Sequence, residues 1–143
     1  AEEKGVTLLL PTDHMTADHF SKNAEPLPVD GCDIPAGHMG LDIGPRTIAL
    51  YKSALEGAGT VFWNGPMGVF EFPAFSNGTF AIAKAMAEMP GAITIIGGGD
   101  SAFAVEQMGF SNKMTHISTG GGAALEFMEG LSLPGIACLQ DAE

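Results

Sequence analysis

Apolar residues in this chain gather in short runs that alternate with helix-spaced patterns. Val6–Leu10 is an apolar run ended by Pro11 and predicts a buried strand. From Thr12 to about Pro45 the pattern dissolves. Pro26, Pro28, Gly31, Pro35, Gly37, Gly40 and Gly44 punctuate it and predict a long irregular excursion. Loops of that length inside a compact domain are usually functional or disordered. Ile48, Tyr51 and Leu55 then recur at helical spacing, with Pro45 in the first turn and Gly57 or Gly59 as the stop. Thr60–Trp63 predicts the next strand, running into the turn Asn64-Gly65-Pro66. The clearest helix spans Ser76 to Met89, where Phe80, Ala83 and Ala87 share one face and Pro90 lies just past the end. Ala92–Ile96 predicts a strand and Ser101–Met108 a helix closed by Gly109. His116–Ser118 and Ala123–Glu129 repeat that sequence, closed by Gly130. Strands alternating with helices at this spacing predict an α/β domain with a parallel sheet and right-handed crossovers. No boundary or linker interrupts the pattern.

Two of the strand-to-helix junctions carry glycine triplets: Gly97-Gly98-Gly99-Asp100 and Gly120-Gly121-Gly122. Glycines there let the backbone turn tightly and leave amide N–H groups uncovered. The first turn of the following helix adds orphan N–H groups and the positive end of its dipole, which suits phosphate. On successive strand–helix units both junctions would open at the same edge of a parallel sheet. Tight turning alone explains a single loop equally well. The Asp-Ser pair after the first loop favours phosphate, since Asp100 is a metal ligand by type and Ser101 a helix cap or phosphate contact. No lysine follows either loop, so neither is a Walker loop, and the dinucleotide spacing is absent. Glu71 follows Val69-Phe70 beyond a strand end, a position suited to sugar hydroxyls, although an isolated carboxylate there is more often solvated.

Composition narrows the partners. The chain has 143 residues, 45% of them hydrophobic, enough for one domain with a real core. Its net charge is −11, and Lys4, Lys22, Arg46, Lys52, Lys84 and Lys113 are scattered singly. That excludes a basic stripe for nucleic acid or an anionic membrane, and leaves phosphate to backbone amides and a metal. Cys32 and Cys138 have no paired spacing and read as reduced thiols of a cytoplasmic protein. The four histidines have no metal-ligand spacing, Met86, Met108 and Met128 read as core filling, and Trp63 as packing. The acidic start is no signal peptide, no run approaches membrane-spanning length, and an opening without Met, on residues like a helix end, points to a fragment.

Four segments are more specific. Phe62-Trp63-Asn64-Gly65-Pro66-Met67-Gly68-Val69-Phe70-Glu71 closely resembles the signature of the phosphoglycerate kinase family. So do Met39-Gly40-Leu41-Asp42-Ile43-Gly44-Pro45, Thr94-Ile95-Ile96-Gly97-Gly98-Gly99-Asp100-Ser101 and Ser118-Thr119-Gly120-Gly121-Gly122-Ala123, in the family's order. The resemblance runs from about Val6 to about Leu139. It implies that residues 1–143 are the C-terminal portion of the family's nucleotide-binding domain, a three-layer, Rossmann-like, doubly wound parallel sheet with about four strands in this chain. The substrate domain with its arginines, and the opening of the nucleotide domain with its lysines, would be absent. His38 stands where the family often has an aromatic, and Ser101 where Thr is commoner.

Position by position, the resemblance implies Gly40 and Leu41 against an adenine. Asn64, Pro66 and Val69 would line the sugar and phosphate path, and Glu71 would bind the ribose hydroxyls. Gly98, Gly99 and Ser101 would present N–H groups to phosphate, Asp100 would hold Mg²⁺, and Gly120, Gly121 and Gly122 would face the transferring phosphoryl group, with Gly99, Gly121 and Gly122 nearest the chemistry. The implied activity is phosphoryl exchange between 1,3-bisphosphoglycerate and ADP, giving 3-phosphoglycerate and ATP, with the acid substrate on the absent domain and this chain inactive alone. The alternative is a non-catalytic nucleotide-binding or structural α/β module. In the implied strand order 3-2-1-4-5-6, Val6–Leu10 is the third strand, and the two strands between it and Thr60–Trp63 are missing. The exposed edges would then be met by a second polypeptide, by new pairing of the two strands, or by pairing between chains.

Overall fold

A computed structural model of the chain describes residues 1–140, so the last three residues of the expected domain lie outside the described residues. The alternating pattern from residue 45 onward yields the expected α/β units. Pro45–Leu55 forms α1, Thr60–Asn64 β4, Asn77–Ala87 α2, Ile93–Gly97 β5, Gly99–Gln107 α3, His116–Ser118 β6 and Gly121–Met128 α4. The three strands make a parallel sheet in the order β4-β5-β6. Val61, Trp63, Ile96 and Ile117 on one face pack with Tyr51 and Leu55 of α1, Ile82, Ala83 and Met86 of α2 and Val105 of α3. Trp63 is thus a core residue, as its position implied.

The helix face of α2 differs from the one expected. Thr79, Ile82, Ala83 and Met86 are buried, whereas Phe80 is 43% exposed and leans on Phe110 at 5.6 Å between ring centroids. Met128 also departs from core filling: it sits on α4, which buries no side chain at all. A cavity of about 380 Å³ separates that helix from Phe62 and Ile95 on the sheet's other face. Parallel sheets are stable when both faces are covered. Here one face is covered by α1, α2 and α3 and the other only loosely, by α4.

The stretch from Thr12 to Pro45 is not irregular. Asp13–Ala17 (β1), Leu27–Asp30 (β2) and Met39–Ile43 (β3) form an antiparallel sheet in the order β2-β1-β3. Pro28 is tolerated because β2 is an edge strand. Leu41, Ala17, Ala24 and Phe75 form the core beneath this sheet. Buried Asp13, Thr16 and Asp42 break the apolar alternation that would have announced the strands.

Val6–Leu10 is likewise not the third strand of the parallel sheet. It makes no strand pairing, and Val6, Leu8 and Leu10 are 59%, 68% and 65% exposed. An apolar run becomes a strand only when a neighbour supplies the ladder, and none does so here. Among the described residues the outer edge of β4 is also unpaired, so the two segments have not paired with each other. Among the described residues the parallel sheet therefore holds three strands, not four.

Candidate functional site

The parallel register aligns Asn64, Gly97 and Ser118 at the C-terminal ends of β4, β5 and β6. Both glycine loops therefore open at one sheet edge, where ligands of α/β sheets bind. They are joined directly, since the Gly98 N–H donates to the Ser118 carbonyl at 2.9 Å. Gly98 has φ +92°, a conformation that favours glycine, and carries the chain into α3. A Cβ there would lie 2.9 Å from Asn64 Oδ1, and one on Gly121 would lie 3.1 Å from the same oxygen. The Asn64 carboxamide thus rests on two glycine surfaces contributed by different loops.

Beyond this contact, α3 begins with exposed Gly99 and Asp100, and α4 with Gly121 and Gly122. Neither helix has a side-chain cap, so their first N–H groups stay available to an anion. Ser101 is not the cap. It is 1% exposed, and its Oγ accepts the Gly65 N–H at 2.7 Å, which ties α3 to the turn after β4. Phe70 packs edge-on against Phe103 of α3 with centroids 6.0 Å apart, a second tie to the same helix.

The turn that starts at Asn64 continues into a second cluster. Gly40, Leu41, Pro66 and Val69 line one cavity of about 410 Å³, together with His14 and Ile34. The Val69 N–H donates to the Leu41 carbonyl at 2.8 Å, so the loop is clamped on β3. Leu41 itself is 5% exposed and spends most of its side chain in the core. Glu71 is exposed just past this clamp. His38 is half-buried, and its Nδ1 is buried with no hydrogen-bond partner among the described residues. The candidate residues therefore fall into two groups, Asn64 with the glycine loops and Gly40 with Leu41, Pro66 and Val69, linked by the 64–71 segment.

A larger cavity, about 550 Å³, lies at the opposite edge among Leu55, Glu56, Gly59, Glu88 and Ala92. Lys52 also lines it, but two carboxylates and the C-terminal ends of α1 and α2 outweigh that single cation and disfavour phosphate.

Asp100 is the only carboxylate of the first turn of α3, and no group of three metal-ligating side chains occurs among the described residues. That donor set fits an ion such as Mg²⁺, which takes one or two carboxylates and completes its shell with phosphate and water oxygens. It does not fit a closed protein cage. Cys32 and Cys138 are free and exposed, and among the described residues no helix is long and apolar enough to cross a membrane.

Two residues that pattern reading passed over hold the site together. Thr79, fully buried in the first turn of α2, accepts the Met67 and Gly68 N–H groups at 3.1 and 3.3 Å. Asp42, 4% exposed, accepts the Ile43 N–H at 2.9 Å and the Gly78 N–H at 2.7 Å. Burial outweighs those two hydrogen bonds and raises the Asp42 pKa to about 6. The glycines at 68 and 78 are their trace in the sequence, because a Cβ on either would overlap Asp42.

Comparison with known proteins agrees with these motifs. The family model for phosphoglycerate kinase matches residues 1–131. A phosphoglycerate kinase of Clostridium botulinum (strain Langeland) is 62% identical over 141 residues, covering 99% of this chain and 35% of that protein. One from Clostridium kluyveri is 60% identical over the same span. Among solved structures, phosphoglycerate kinase from Coxiella burnetii superposes with a TM-score of 0.84 at 43% identity, over 91% of this chain and 33% of that one. The Pyrococcus horikoshii enzyme gives 0.74 at 37% identity, over 89% and 31%. The chain thus spans about a third of the length of these relatives. It belongs to the phosphoglycerate kinase family.

Proposed function

We propose that this chain is the adenine-nucleotide side of a cytoplasmic phosphoglycerate kinase, which exchanges a phosphoryl group between 1,3-bisphosphoglycerate and ADP. The observation that carries this reading is the meeting of Asn64 Oδ1 with Gly98 and Gly121 at the C-terminal edge of the parallel sheet. Gly99 and the first N–H groups of α3 and α4 form a donor surface for phosphate oxygens, while Gly98, whose own N–H is taken by the Ser118 carbonyl, shapes the loop beneath them. Asn64 separates that surface from the cavity of Gly40, Leu41, Pro66 and Val69, which is of a size and polarity for a base. Glu71, at the far end of the linking segment, accepts hydrogen bonds from ribose hydroxyls.

Phosphoryl transfer asks a protein mainly for alignment and charge neutralisation. Mg²⁺ held by Asp100 would offset phosphate charge when bound. Backbone amides of Gly99, Gly121 and Gly122 aim fixed partial positive charge where the transferring group would carry negative charge. Six scattered cations and a net charge of −11 leave the remaining neutralisation to another part of the parent protein, which also binds 3-phosphoglycerate or 1,3-bisphosphoglycerate. Amide chemical shifts on titration with Mg·ADP test the reading. Shifts should concentrate at Gly40, Val69, Gly98, Gly99 and Gly121. Shifts confined to the cavity beside Glu56 and Glu88 would overturn it.

A further inference from the structure

The 64–71 segment carries four of the proposed nucleotide contacts, yet beyond Asn64 it has no regular structure of its own before the short turn at Pro73–Phe75. Something must fix it. Val69 is held by the Leu41 carbonyl of β3, and Met67 and Gly68 by Thr79 of α2. The geometry of the segment therefore depends on how the first turn of α2 sits relative to β3.

One side chain spans those two elements. The Asp42 carboxylate of β3 takes the Gly78 N–H of α2 at 2.7 Å, one residue before Thr79. Its other oxygen takes the Ile43 N–H at 2.9 Å and fills the space that Gly68 and Gly78 leave by lacking a Cβ. The path Asp42–Gly78–Thr79–Met67 and Gly68 is continuous, buried at Asp42, Gly78 and Thr79 and half-buried at Met67 and Gly68, with hydrogen bonds at each end of the Gly78–Thr79 peptide link.

We propose that Asp42 is the positioning residue of the nucleotide segment: it seats α2 on β3 and so sets where Thr79 holds Met67 and Gly68, and with them Val69 and Glu71. The consequence for nucleotide rests on the function proposed above, whereas the mechanical coupling does not. Two features make the coupling separable from general stability. First, burying this carboxylate disfavours its ionised form, so Asp42→Asn should not lower the global stability at neutral pH as loss of an ordinary core contact would. Second, an amide can satisfy only one of the two N–H groups that the carboxylate accepts.

Around this group the ionisable neighbours are few. His14 of β1 lines the same cavity, Asp13 of β1 is engaged with α1, Glu71 of the segment is exposed, and the first turn of α2 carries no acidic residue. Histidine as a residue type changes charge in the same pH range, so a His14→Gln variant serves as the control.

The experiment is amide hydrogen exchange on the whole chain, read as protection factors at Met67, Gly68, Val69 and Gly78 against Ile95 and Ile96 of β5. In Asp42→Asn at pH 7.5, protection at the first four should fall on the order of tenfold, with the β5 amides within about twofold of wild type. In wild type and in His14→Gln, lowering the pH through about 6 should lower protection at the first four relative to the β5 amides, which rise with the global stability. Thr79→Val, which removes the acceptor of Met67 and Gly68, should give the same local pattern without touching Asp42. Uniform change at both sets of amides, or no change at Met67–Val69, would overturn the proposal. Calorimetry with Mg·ADP keeps the two readings apart. Unchanged affinity in Glu71→Ala removes the nucleotide site and leaves the exchange result standing. Weakened affinity in Glu71→Ala but not in Asp42→Asn overturns the positioning role.

Discussion

Ser101 Oγ accepts the Gly65 N–H at 2.7 Å, so the helix that follows the first glycine loop is anchored to the turn that follows the neighbouring strand. Both partners lie at the sheet edge where Asn64 meets Gly98 and Gly121. With Ser101 1% exposed, Ser101→Ala leaves a donor without its acceptor and should cost about 1–3 kcal/mol. Ser101→Thr keeps the oxygen and should recover most of that loss. Urea denaturation of the two variants checks it, and equal stability of the Ala and Thr forms would show that the bond does not matter.

Asp13 offers a test with a pH sign. Burial works to raise its pKa, but the Thr47 hydroxyl, the Arg46 and Thr47 amides and the Arg46 charge together hold it below the ordinary value. A folded pKa below the unfolded one contributes stability above about pH 4 and loses it as the pH falls through the folded value. Asp13→Ala, which also removes the acceptor of the first α1 amides, should therefore cost about 2–3 kcal/mol at pH 7 and less at pH 3 than at pH 7. Denaturant midpoints at the two pH values check this. A gap that stays constant would contradict it.

Asp42 has the opposite sign. Its folded pKa, raised to about 6, means that its contribution is fully present below the unfolded value of 3.8 and is lost as the pH rises through about 6. Stability should therefore rise by about 1 kcal/mol between pH 7.5 and pH 5, with the full effect of about 3 kcal/mol reached only below pH 4, and Asp42→Asn should abolish most of that step. A pH-independent melting temperature in wild type over this range would contradict the assignment.

The exposed run Val6–Leu10 and the free edge of β4 predict association. Sedimentation at rising concentration should show pairing between chains, or capture of the rest of the parent protein when that part is supplied. A strictly monomeric chain with slow amide exchange across Val6–Leu10 would contradict this.

Much of the parallel half was legible in the sequence because its apolar strands and glycine punctuation obey simple periods. Thr60–Asn64, Ile93–Gly97 and His116–Ser118 all end where the turn residues say they should. The antiparallel half was not legible, since Asp13, Thr16 and Asp42 occupy buried strand positions and are satisfied by partners far away in sequence. Val6–Leu10 failed for the converse reason: apolar character predicts burial, but burial needs a neighbour. In the site, the glycine loops announced themselves, whereas Asn64 was identified by family resemblance. Thr79 and Asp42 act through buried hydrogen bonds that leave no periodic mark.

On the proposed function, kinase turnover by this chain alone should be absent, because that reading puts the neutralising cations and the acid-substrate site elsewhere in the parent. A coupled assay at micromolar chain checks it. Turnover that Asp100→Ala abolishes would contradict the expectation.

The most direct test of the account is calorimetric titration of the chain with Mg·ADP, in wild type and in Glu71→Ala. The account predicts saturable binding of one nucleotide, weakened in Glu71→Ala by about 1.5–3 kcal/mol, the usual worth of a hydrogen bond to a charged acceptor. Equal affinity in the two forms would contradict it.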